Sequence, residues 1–382
     1  MNKIGVHLLK SADELLLCCA RTTAAPRLRE FAAADVDWEY FFQLARRHAI
    51  LPLVYVPLER HASDLIPQTM LAQLKKHYIE NSARNTVLTA ELCRLISLFN
   101  DAGIEAIPYK GPVLALFAYG NIALRRFVDL DVIVKRSDVL NAREILLNEG
   151  YTPAKSLSLS QQELLLRTQH NMQFSRDNRQ LIVELHWEVA PHLFASTVNG
   201  ERLWQNLITL DLNGTRVKSF SAEDLLFSLC VHGSRHLWER LGWICDVAEL
   251  MTQTLDWPTL LQRAANADTE RMFLLGVHLA ERLLDAPLPA VVKQRCDTDP
   301  RLSALADKIV EHLFNGPTHV PATSREIFKY NIGVRKTFSA RARYLLYMFR
   351  PTDSDLGSRP LPSSLNFAYY LTRPFRLFRT KI

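Results

Sequence analysis

Apolar residues recur at helical spacing along most of this chain and at strand spacing over a shorter central stretch. The segment from Pro67 to Phe99 carries many leucines among charged residues and predicts one or two long amphipathic helices. Asp37 is placed to cap a helix that continues through Arg47. Residues 220 to about 350 are again helical in pattern. The sequence therefore predicts an α+β protein whose strands lie within residues 101 to 219.

The central stretch alternates short strands with turns and one helix. Ile104 to Tyr109 predicts an apolar strand after the turn-forming Asp101-Ala102-Gly103. Pro112 suits the first turn of a helix, and the apolar residues from Val113 to Tyr119 continue that helix. Asn213-Gly214, which separates two alternating segments, predicts a β-hairpin.

These changes of pattern divide the chain into four regions. They are a helical N-terminal region (1–100), an α/β core (101–219), a helical C-terminal domain (220–350) and a basic, aromatic tail (351–382). Ser221-Ala222-Glu223-Asp224 matches a capping box, which marks the start of the helical C-terminal domain.

Two carboxylates lie two residues apart in the core, at Asp129 and Asp131. Alternate residues of a strand face the same way, and Leu130 with the apolar residues up to Val134 predicts a buried strand. Neighbouring carboxylates repel each other and raise at least one pKa. A divalent cation removes that cost, and Mg²⁺ in particular takes oxygen ligands. The alternative is that one or both acids cap or solvate a strand end.

A third acid is expected at the same place. Leu181 to Trp187 predicts a strand in which Glu184 and His186 share a face. Burying an unpaired carboxylate among apolar neighbours is costly, so we expect Glu184 to join Asp129 and Asp131 around metal ions. The alternative is an ion pair between Glu184 and an arginine. His186 is expected to position a carboxylate or to contact a substrate.

Phosphate-binding groups are expected where the first strand turns into the helix. A helix N-terminus after Gly111 offers free backbone N–H groups to an anion, although Pro112 removes one donor. Lys110 precedes this turn, and Arg125 and Arg126 precede the acidic strand, within reach of phosphate oxygens. The alternative for the three cations is ordinary surface charge.

These residues, taken in order, resemble the uncharacterised nucleotidyltransferase family of bacteria, which belongs to the DNA polymerase β-type nucleotidyltransferase superfamily. The resemblance extends from about residue 35 to Arg373-Pro374. It is carried by Lys110-Gly111, Arg125-Arg126, Asp129-Leu130-Asp131, Glu184-Leu185-His186-Trp187 and the stretch containing His232, His236, Trp238 and Asp246.

The resemblance implies a small mixed β-sheet core, a nucleoside triphosphate donor and two Mg²⁺ ions, with Mn²⁺ as the alternative. It implies transfer of a nucleoside monophosphate to a hydroxyl acceptor, with release of pyrophosphate. By the same resemblance, Asp129 and Asp131 bind both metals and Glu184 completes the nucleophile-side metal site. Gly111 and its neighbours would then hold the triphosphate. This chain departs from the superfamily pattern at Pro112 and in having glutamate as the third acid.

Two histidines in the C-terminal region form another candidate site. His232 and His236 are four residues apart and share a face if they lie on a helix. The glutamate and third ligand of a zinc site are missing, so packing or a substrate contact is favoured over metal binding. If this region closes over the sheet, His232, Arg235 and His236 would help to bind the acceptor.

Composition fits a soluble enzyme, with 23% charged and 48% hydrophobic residues. The six cysteines form no C-x-x-C pair, which argues against a zinc ribbon and a disulfide framework. Asp13 and Glu14 interrupt the N-terminus before an apolar stretch of signal-peptide length, and no run of about eighteen apolar residues occurs. We therefore expect a cytoplasmic location, with peripheral attachment to the inner face of the membrane as a variant.

The tail leaves several partners open. From Arg335 to Ile382 the chain has ten Lys or Arg residues against two acids. Such a segment suits packing onto the protein itself, an anionic membrane surface, or a nucleic acid or protein partner. The net charge of +6 arises largely here and gives no firm nucleic-acid signal. Its aromatic residues are Phe367, Tyr369, Tyr370, Phe375 and Phe378.

Two other functions stay open on the residues alone. A catalytically weak fold of this type would serve as a binding module, for example one that neutralises a toxin, although intact Asp129, Asp131 and Glu184 argue against it. Another phosphotransferase, such as a kinase acting on the γ-phosphate, is disfavoured because no Walker A motif or kinase-type glycine loop is present.

Overall fold

A computed structural model describes residues 3–4, 7–21, 27–195, 201–318, 320–352, 355–356, 361, 365, 367–370 and 373. The helices in these ranges are α1 (Ser11–Cys19), α2 (Leu28–Ala32), α3 (Trp38–Arg47), α4 (Leu51–Ala62), α5 (Gln68–Asp101), α6 (Gly111–Tyr119), α7 (Val139–Asn148), α8 (Leu159–Thr168), α9 (Arg202–Gln205), α10 (Ala222–Arg235), α11 (Leu241–Leu250), α12 (Trp257–Asn266), α13 (Glu270–Leu284), α14 (Ala290–Asp297), α15 (Pro300–Leu313), α16 (Ser324–Gly333) and α17 (Phe338–Met348). The strands are β1 (Lys3–Ile4), β2 (His7–Leu8), β3 (Ala106–Pro108), β4 (Leu130–Val134), β5 (Thr152–Pro153), β6 (Asn171–Arg176), β7 (Leu181–His186), β8 (Leu207–Leu212) and β9 (Thr215–Phe220).

Local sequence signals set several of these boundaries as predicted. The side chain of Asp37 accepts a hydrogen bond from the backbone N–H of Tyr40 and caps α3. The stretch after Pro67 forms one helix of 34 residues, α5. Ser221 caps α10 by accepting a hydrogen bond from the backbone N–H of Asp224. The Asn213-Gly214 hairpin is confirmed, because β8 and β9 pair as antiparallel strands around it.

Five strands form the central sheet, in the order β3-β4-β7-β6-β5. Strands β4 and β7 are parallel, and their other neighbours are antiparallel, so the sheet is mixed. This sheet and the surrounding helices confirm the predicted α+β class. The β4–β7 register places Asp131 opposite Glu184 and Ile133 opposite His186. Residues paired in register face the same side of a sheet, so all four side chains project from one face.

The two faces of this sheet pack into different cores. Leu130, Val132 and Val183 lie on one face, in a core with α7 and the second half of α5. On the opposite face, Ile107 and Ile133 lie in a core with the N-terminal helices and with α10 to α15. The acid-bearing face is therefore the face covered by the helical C-terminal region. The four-region division of the chain remains a prediction.

The segment between α6 and β4, which carries Asp129 towards the sheet, is held by side chains from distant helices. The Asn85 amide donates hydrogen bonds to the carbonyl oxygens of Ile122 (2.6 Å) and Arg125 (2.8 Å). The Arg125 guanidinium donates to both carboxylate oxygens of Asp246, from Nε at 2.9 Å and from Nη2 at 3.0 Å. Because both partners are buried, these bonds fix the approach to β4.

No helix in the described ranges is long and apolar enough to cross a membrane. Most of the tail lies outside the described residues, Phe375 and Phe378 among them. One described tail residue packs onto the α/β core: the Tyr369 hydroxyl is buried and accepts a hydrogen bond from the Gln161 amide at 3.2 Å, whereas Phe367 is exposed. Arg373 pairs with the buried Asp355 at 3.1 Å. The expected membrane and nucleic-acid contacts of the tail remain predictions.

A buried histidine should make the fold sensitive to acid. His48 Nδ1 accepts a hydrogen bond from the Leu241 N–H, and its Nε2 donates to the Leu313 carbonyl. Burial, followed by the nearby Arg47 charge, lowers the pKa of His48 to about 3. Its unfolded pKa is about 6.5, so the unfolded chain binds the proton first. Stability from this group is full above about pH 6.5 and falls as the pH drops towards 3.

His48→Gln supplies the matched test, because an amide can replace both hydrogen bonds and does not titrate. We expect the wild type to lose about 2 kcal/mol more than the variant between pH 7 and pH 5. The free energy of unfolding in urea at the two pH values measures this difference. Parallel pH profiles for the two proteins would show that His48 is not the acid-sensitive group.

Candidate active site between the sheet and the C-terminal helices

A cavity of about 430 Å³ lies over the acid-bearing face of the sheet. Ligand sites in proteins are concave and of this size class. Helix α10 and the start of α11 close it from the side opposite the sheet. Ten of the eleven predicted site residues line it, and Gly111 is the exception. The ten are Lys110, Arg125, Arg126, Asp129, Asp131, Glu184, His186, His232, Arg235 and His236.

Asp131, Glu184 and His186 form a compact group at the base of the cavity. One atom of each residue that could coordinate a metal, a carboxylate oxygen or an imidazole nitrogen, lies within 4.8 Å of the corresponding atoms of the other two. His186 Nε2 is 3.1 Å from Asp131 Oδ1 and 3.3 Å from Glu184 Oε2. The parallel register of β4 and β7 produces this meeting, because it sets the two acids side by side. Two carboxylates and one imidazole are a donor set that suits a divalent cation.

Asp129 lines the same cavity but lies outside this compact group. Burial, followed by the charges of Asp131 and Glu184, raises the pKa of its carboxyl to about 6. The three carboxylates therefore interact electrostatically, as like charges in one site do.

Lys110 is a partner of Asp131 and not a surface charge. Its ammonium donates a hydrogen bond to Asp131 Oδ1 at 3.0 Å, and its side chain is only 12% exposed. Burial acts to raise the pKa of Asp131, but the Lys110 charge and the His186 hydrogen bond outweigh burial and hold that pKa below its usual value. Asp131 is thus an ionised carboxylate that is already compensated by one cation.

His186 is oriented from its other side. The Tyr109 hydroxyl lies 3.4 Å from His186 Nδ1, and the two rings meet edge to face. Burial acts to lower the pKa of His186, but its hydrogen bonds to Asp131 and Glu184 prevail and raise it. His186 thus contacts both carboxylates, and its role in positioning them stays a prediction.

Asn171 is a further polar residue of this site, which the motifs in the sequence did not single out. Its side-chain amide donates a hydrogen bond to Glu184 Oε2 at 2.9 Å. Asn171 and Gln173 on β6 pair with His186 and Glu184 on β7, and so share their face. Period-two spacing in Asn171-Met172-Gln173 was a signal that could have found both residues.

The two predicted phosphate-binding arginines differ in their surroundings. The Arg125 guanidinium is already occupied by Asp246. Arg126 is exposed, and no acidic partner for it occurs in the described part of the chain. Part of the Arg126 side chain is nevertheless covered by the protein. This partial burial, followed by repulsion from Arg240, Arg84 and Arg46, lowers the pKa of Arg126. Such a cluster of like charges favours the binding of an anion.

His232 and His236 share a helix face as predicted, with ring centroids 4.6 Å apart. Both rings also contact Trp243, at centroid distances of 5.3 and 5.5 Å. Burial, followed by the Arg235 charge, lowers the pKa of His236 to about 4, so the ring is neutral near pH 7. Neither histidine belongs to the group of Asp131, Glu184 and His186, the potential metal site found among the described residues. The geometry agrees with packing or a substrate contact.

Gly111 acts on the site through the backbone. Its φ of +55° lies in the left-handed region, and a Cβ atom there would come within 3.3 Å of the Asp129 carbonyl oxygen. We expect Gly111→Ala to cost about 1–2 kcal/mol of stability and also to lower activity, because it displaces Asp129. Gly120→Ala is the control: its φ is +66°, but nothing lies within 4 Å of the added atom.

Urea unfolding and kcat/KM of the two variants measure these effects separately. Both variants should lose similar stability, but only Gly111→Ala should lose activity. Equal activities in the two variants would contradict a role for the Gly111–Asp129 contact.

Residues 34–285 of this chain match a family described as "Uncharacterised nucleotidyltransferase". Among solved structures, the chain is similar to an antigenic nucleotidyltransferase-like protein from Paracoccidioides brasiliensis. The two share 16% sequence identity with a TM-score of 0.30, over 55% of this chain and 96% of that chain. The curated proteins yield no match.

Proposed function

The chain belongs to the uncharacterised nucleotidyltransferase family, and we propose that it transfers a nucleoside monophosphate from ATP or another nucleoside triphosphate to a hydroxyl acceptor. The observation that carries this proposal is the meeting of Asp131 and Glu184 on adjacent parallel strands, with Asp129 in the same cavity. We further propose the DNA polymerase β-type superfamily as its wider group. Because triphosphates are cytoplasmic metabolites, we place the protein in the cytoplasm.

In the proposed reaction, the acceptor oxygen forms a bond to the α-phosphorus. The bond from that phosphorus to the oxygen bridging to the β-phosphate breaks, and its electron pair leaves with pyrophosphate. The hydroxyl proton passes to water. Positioning and charge stabilisation account for most of the rate in such a reaction.

Asp131 and Glu184, together with Asp129, are the residues that would hold two Mg²⁺ or Mn²⁺ ions. Such ions supply positive charge that favours the ionised hydroxyl and offsets the charge of pyrophosphate. His186 and Asn171 keep the Glu184 carboxylate turned towards Asp131 through hydrogen bonds at its Oε2 atom.

The remaining cavity wall suits a polyanion. Its lining contains seven Lys or Arg residues against three carboxylates. Asp131 and Asp246 already pair with Lys110 and Arg125, whereas Arg126 forms no ion pair with a described residue and is repelled by Arg240, Arg84 and Arg46. We therefore propose that Arg126, together with the α6 N-terminus at Gly111, contacts the triphosphate, and that Lys110 balances charge between Asp131 and phosphate.

Incubation with each α-labelled nucleoside triphosphate, Mg²⁺ or Mn²⁺ and a bacterial extract as acceptor source tests this proposal. We expect label to enter a new product, with pyrophosphate as the co-product. Release of ADP from ATP would instead indicate a kinase. Nucleotide binding without any label transfer would indicate a binding module.

A further inference from the structure

A second cavity, of about 380 Å³, adjoins the first on the side of β6 and α8. The two cavities share four wall residues, which are His170, Asn171, Glu184 and Arg235. Glu184 is the one member of the acid group that faces both. A molecule in the second cavity would therefore reach the reacting centre at the Glu184 carboxylate.

The chemistry of the second wall differs from that of the first. Four side-chain amides line it, together with three cations, and Glu184 is the single carboxylate among its described lining residues. Amides both donate and accept hydrogen bonds and so suit hydroxyl groups. The amides are Gln162, Gln169, Asn171 and Gln173, and the cations are Arg143, Lys155 and Arg235.

His170 marks the junction of the two cavities. It is 3% exposed, and its Nε2 lies 2.6 Å from Arg235 Nη1. Because a guanidinium only donates, Nε2 accepts, and the ring proton of the neutral imidazole lies on Nδ1. That Nδ1 is buried and has no hydrogen-bond partner among the described residues. His170 therefore forms part of the wall at the junction, and its contact with Arg235 holds that residue between the two cavities.

The polar side chains of this wall differ in whether they already have a hydrogen-bond or ion-pair partner in the protein. Gln169 is committed to the Pro351 carbonyl and Gln162 to the Leu157 carbonyl. Gln173 has no such bond in the described part of the chain, and the register places it opposite Glu184. Lys155 is exposed and forms no ion pair with a described residue.

We propose that the second cavity is the acceptor site and that the acceptor is a hydroxyl-bearing anion, such as a sugar carrying a phosphate or carboxylate group. This inference rests on the proposed function. The hydroxyl group of the acceptor lies at Glu184, where the α-phosphorus of the nucleotide in the first cavity is within reach. The negative charge of the acceptor lies towards Lys155. A polycationic acceptor is excluded by repulsion, because the wall carries three cations and no acid except Glu184.

The nucleophile in this arrangement approaches from the β6 side of Glu184. Its oxygen bonds to the α-phosphorus, pyrophosphate departs into the first cavity with the electron pair, and the hydroxyl proton passes to water. Gln173 acts as a positioning residue that orients the acceptor.

A steric block tests the location of the site. Gln173→Trp should fill the second cavity, and Gln73→Trp, at an exposed position on α5, is its matched control. We expect Gln173→Trp to bind a fluorescent ATP analogue with a Kd within about twofold of the wild type, and to lose at least about 50-fold in label transfer to the extract. Transfer at the wild-type rate would overturn the proposal. A parallel loss of ATP-analogue binding would also overturn it, since the two cavities would then be one nucleotide site.

A charge reversal tests the acceptor class with little risk to folding. Lys155→Glu should lower transfer about tenfold through a raised apparent KM for the acceptor, whereas Lys75→Glu on α5 should not change it. The labelled product of the wild type, cleaved with a phosphodiesterase, should release an acceptor that binds an anion-exchange resin. A released acceptor that binds a cation exchanger would overturn the proposal. Absence of any labelled product with the wild-type protein would count against the proposed function itself, so the two failures are distinguishable.

Discussion

Asp131→Asn should lower the rate of nucleotidyl transfer by on the order of 10³-fold, and Glu184→Gln should do the same. Each substitution keeps the shape of the side chain and removes one negative charge from the group formed with His186. The site then loses a carboxylate that would hold the divalent cation. A metal-dependent reaction should suffer far more from this change than from loss of any single cation in the wall.

Initial rates of label transfer at saturating nucleotide measure this effect. Glu163→Gln, an exposed position on α8, is the control for Glu184→Gln and should keep full activity. Asp131→Asn leaves Lys110 buried without its counter-ion, so its thermal unfolding midpoint should be measured beside the rate. Glu184→Gln avoids that complication. If both variants kept more than a tenth of the wild-type rate while folded, these acids would not be catalytic.

Removing the charge of Asp246 should lower the free energy of unfolding more than any other single substitution considered above. Its side chain is 3% exposed and accepts hydrogen bonds from Arg125 and from the Tyr119 hydroxyl. Asp246→Leu leaves Arg125 buried without a counter-charge, and breaking such a pair costs about 3–5 kcal/mol. The segment that leads to Asp129 loses an anchor at the same time, so activity should fall as well.

The double variant Arg125→Met/Asp246→Leu separates charge from packing. A buried ion pair replaced by apolar side chains of similar size often costs little. We therefore expect the double variant to regain most of the stability that Asp246→Leu loses, as measured by urea unfolding. If the two single losses simply added in the double variant, Arg125 and Asp246 would not be energetically coupled.

Local periodicity carried the prediction of the sheet and of its acids. The strands that hold Asp131 and Glu184 are apolar runs interrupted by single polar residues, and the two-residue period of a strand fixes which side chains share a face. The turn at Gly111 was readable for a similar reason, since glycine and Pro112 mark a change from strand to helix. These signals depend on residues close together in the chain.

Pairings between distant residues were not readable. Nothing local connects Arg125 with Asp246, so the prediction that Arg125 reaches phosphate was made without this partner and stays a prediction. The Arg235–His170 contact and the second cavity likewise arise where α10 meets β6. Lys110 was expected to contact phosphate, and its ion pair with Asp131 was not foreseen. That ion pair depends on how β3 and β4 pair in the sheet. Tertiary packing decides such contacts, and the local spacing of apolar and polar residues carries no signal for them.

The N-terminal helices illustrate the same limit. Their amphipathic pattern predicts helices but not what they pack against. In the structure, Phe41 and Leu58 lie in one core with Leu229 and Phe273 of the C-terminal helices. This shared core closes the cavity over the sheet, and it is the reason that Arg46 and Arg240 stand near Arg126.

Crystals grown with Mn²⁺ and a non-hydrolysable nucleoside triphosphate would show whether Asp131 and Glu184 together hold a metal ion beside a bound nucleotide. Anomalous scattering locates Mn²⁺ independently of the protein coordinates. We expect a peak in contact with carboxylate oxygens of both Asp131 and Glu184, with the triphosphate beside Arg126. A peak bound only at His232 and His236, or a nucleotide bound with no metal near β4 and β7, would contradict it.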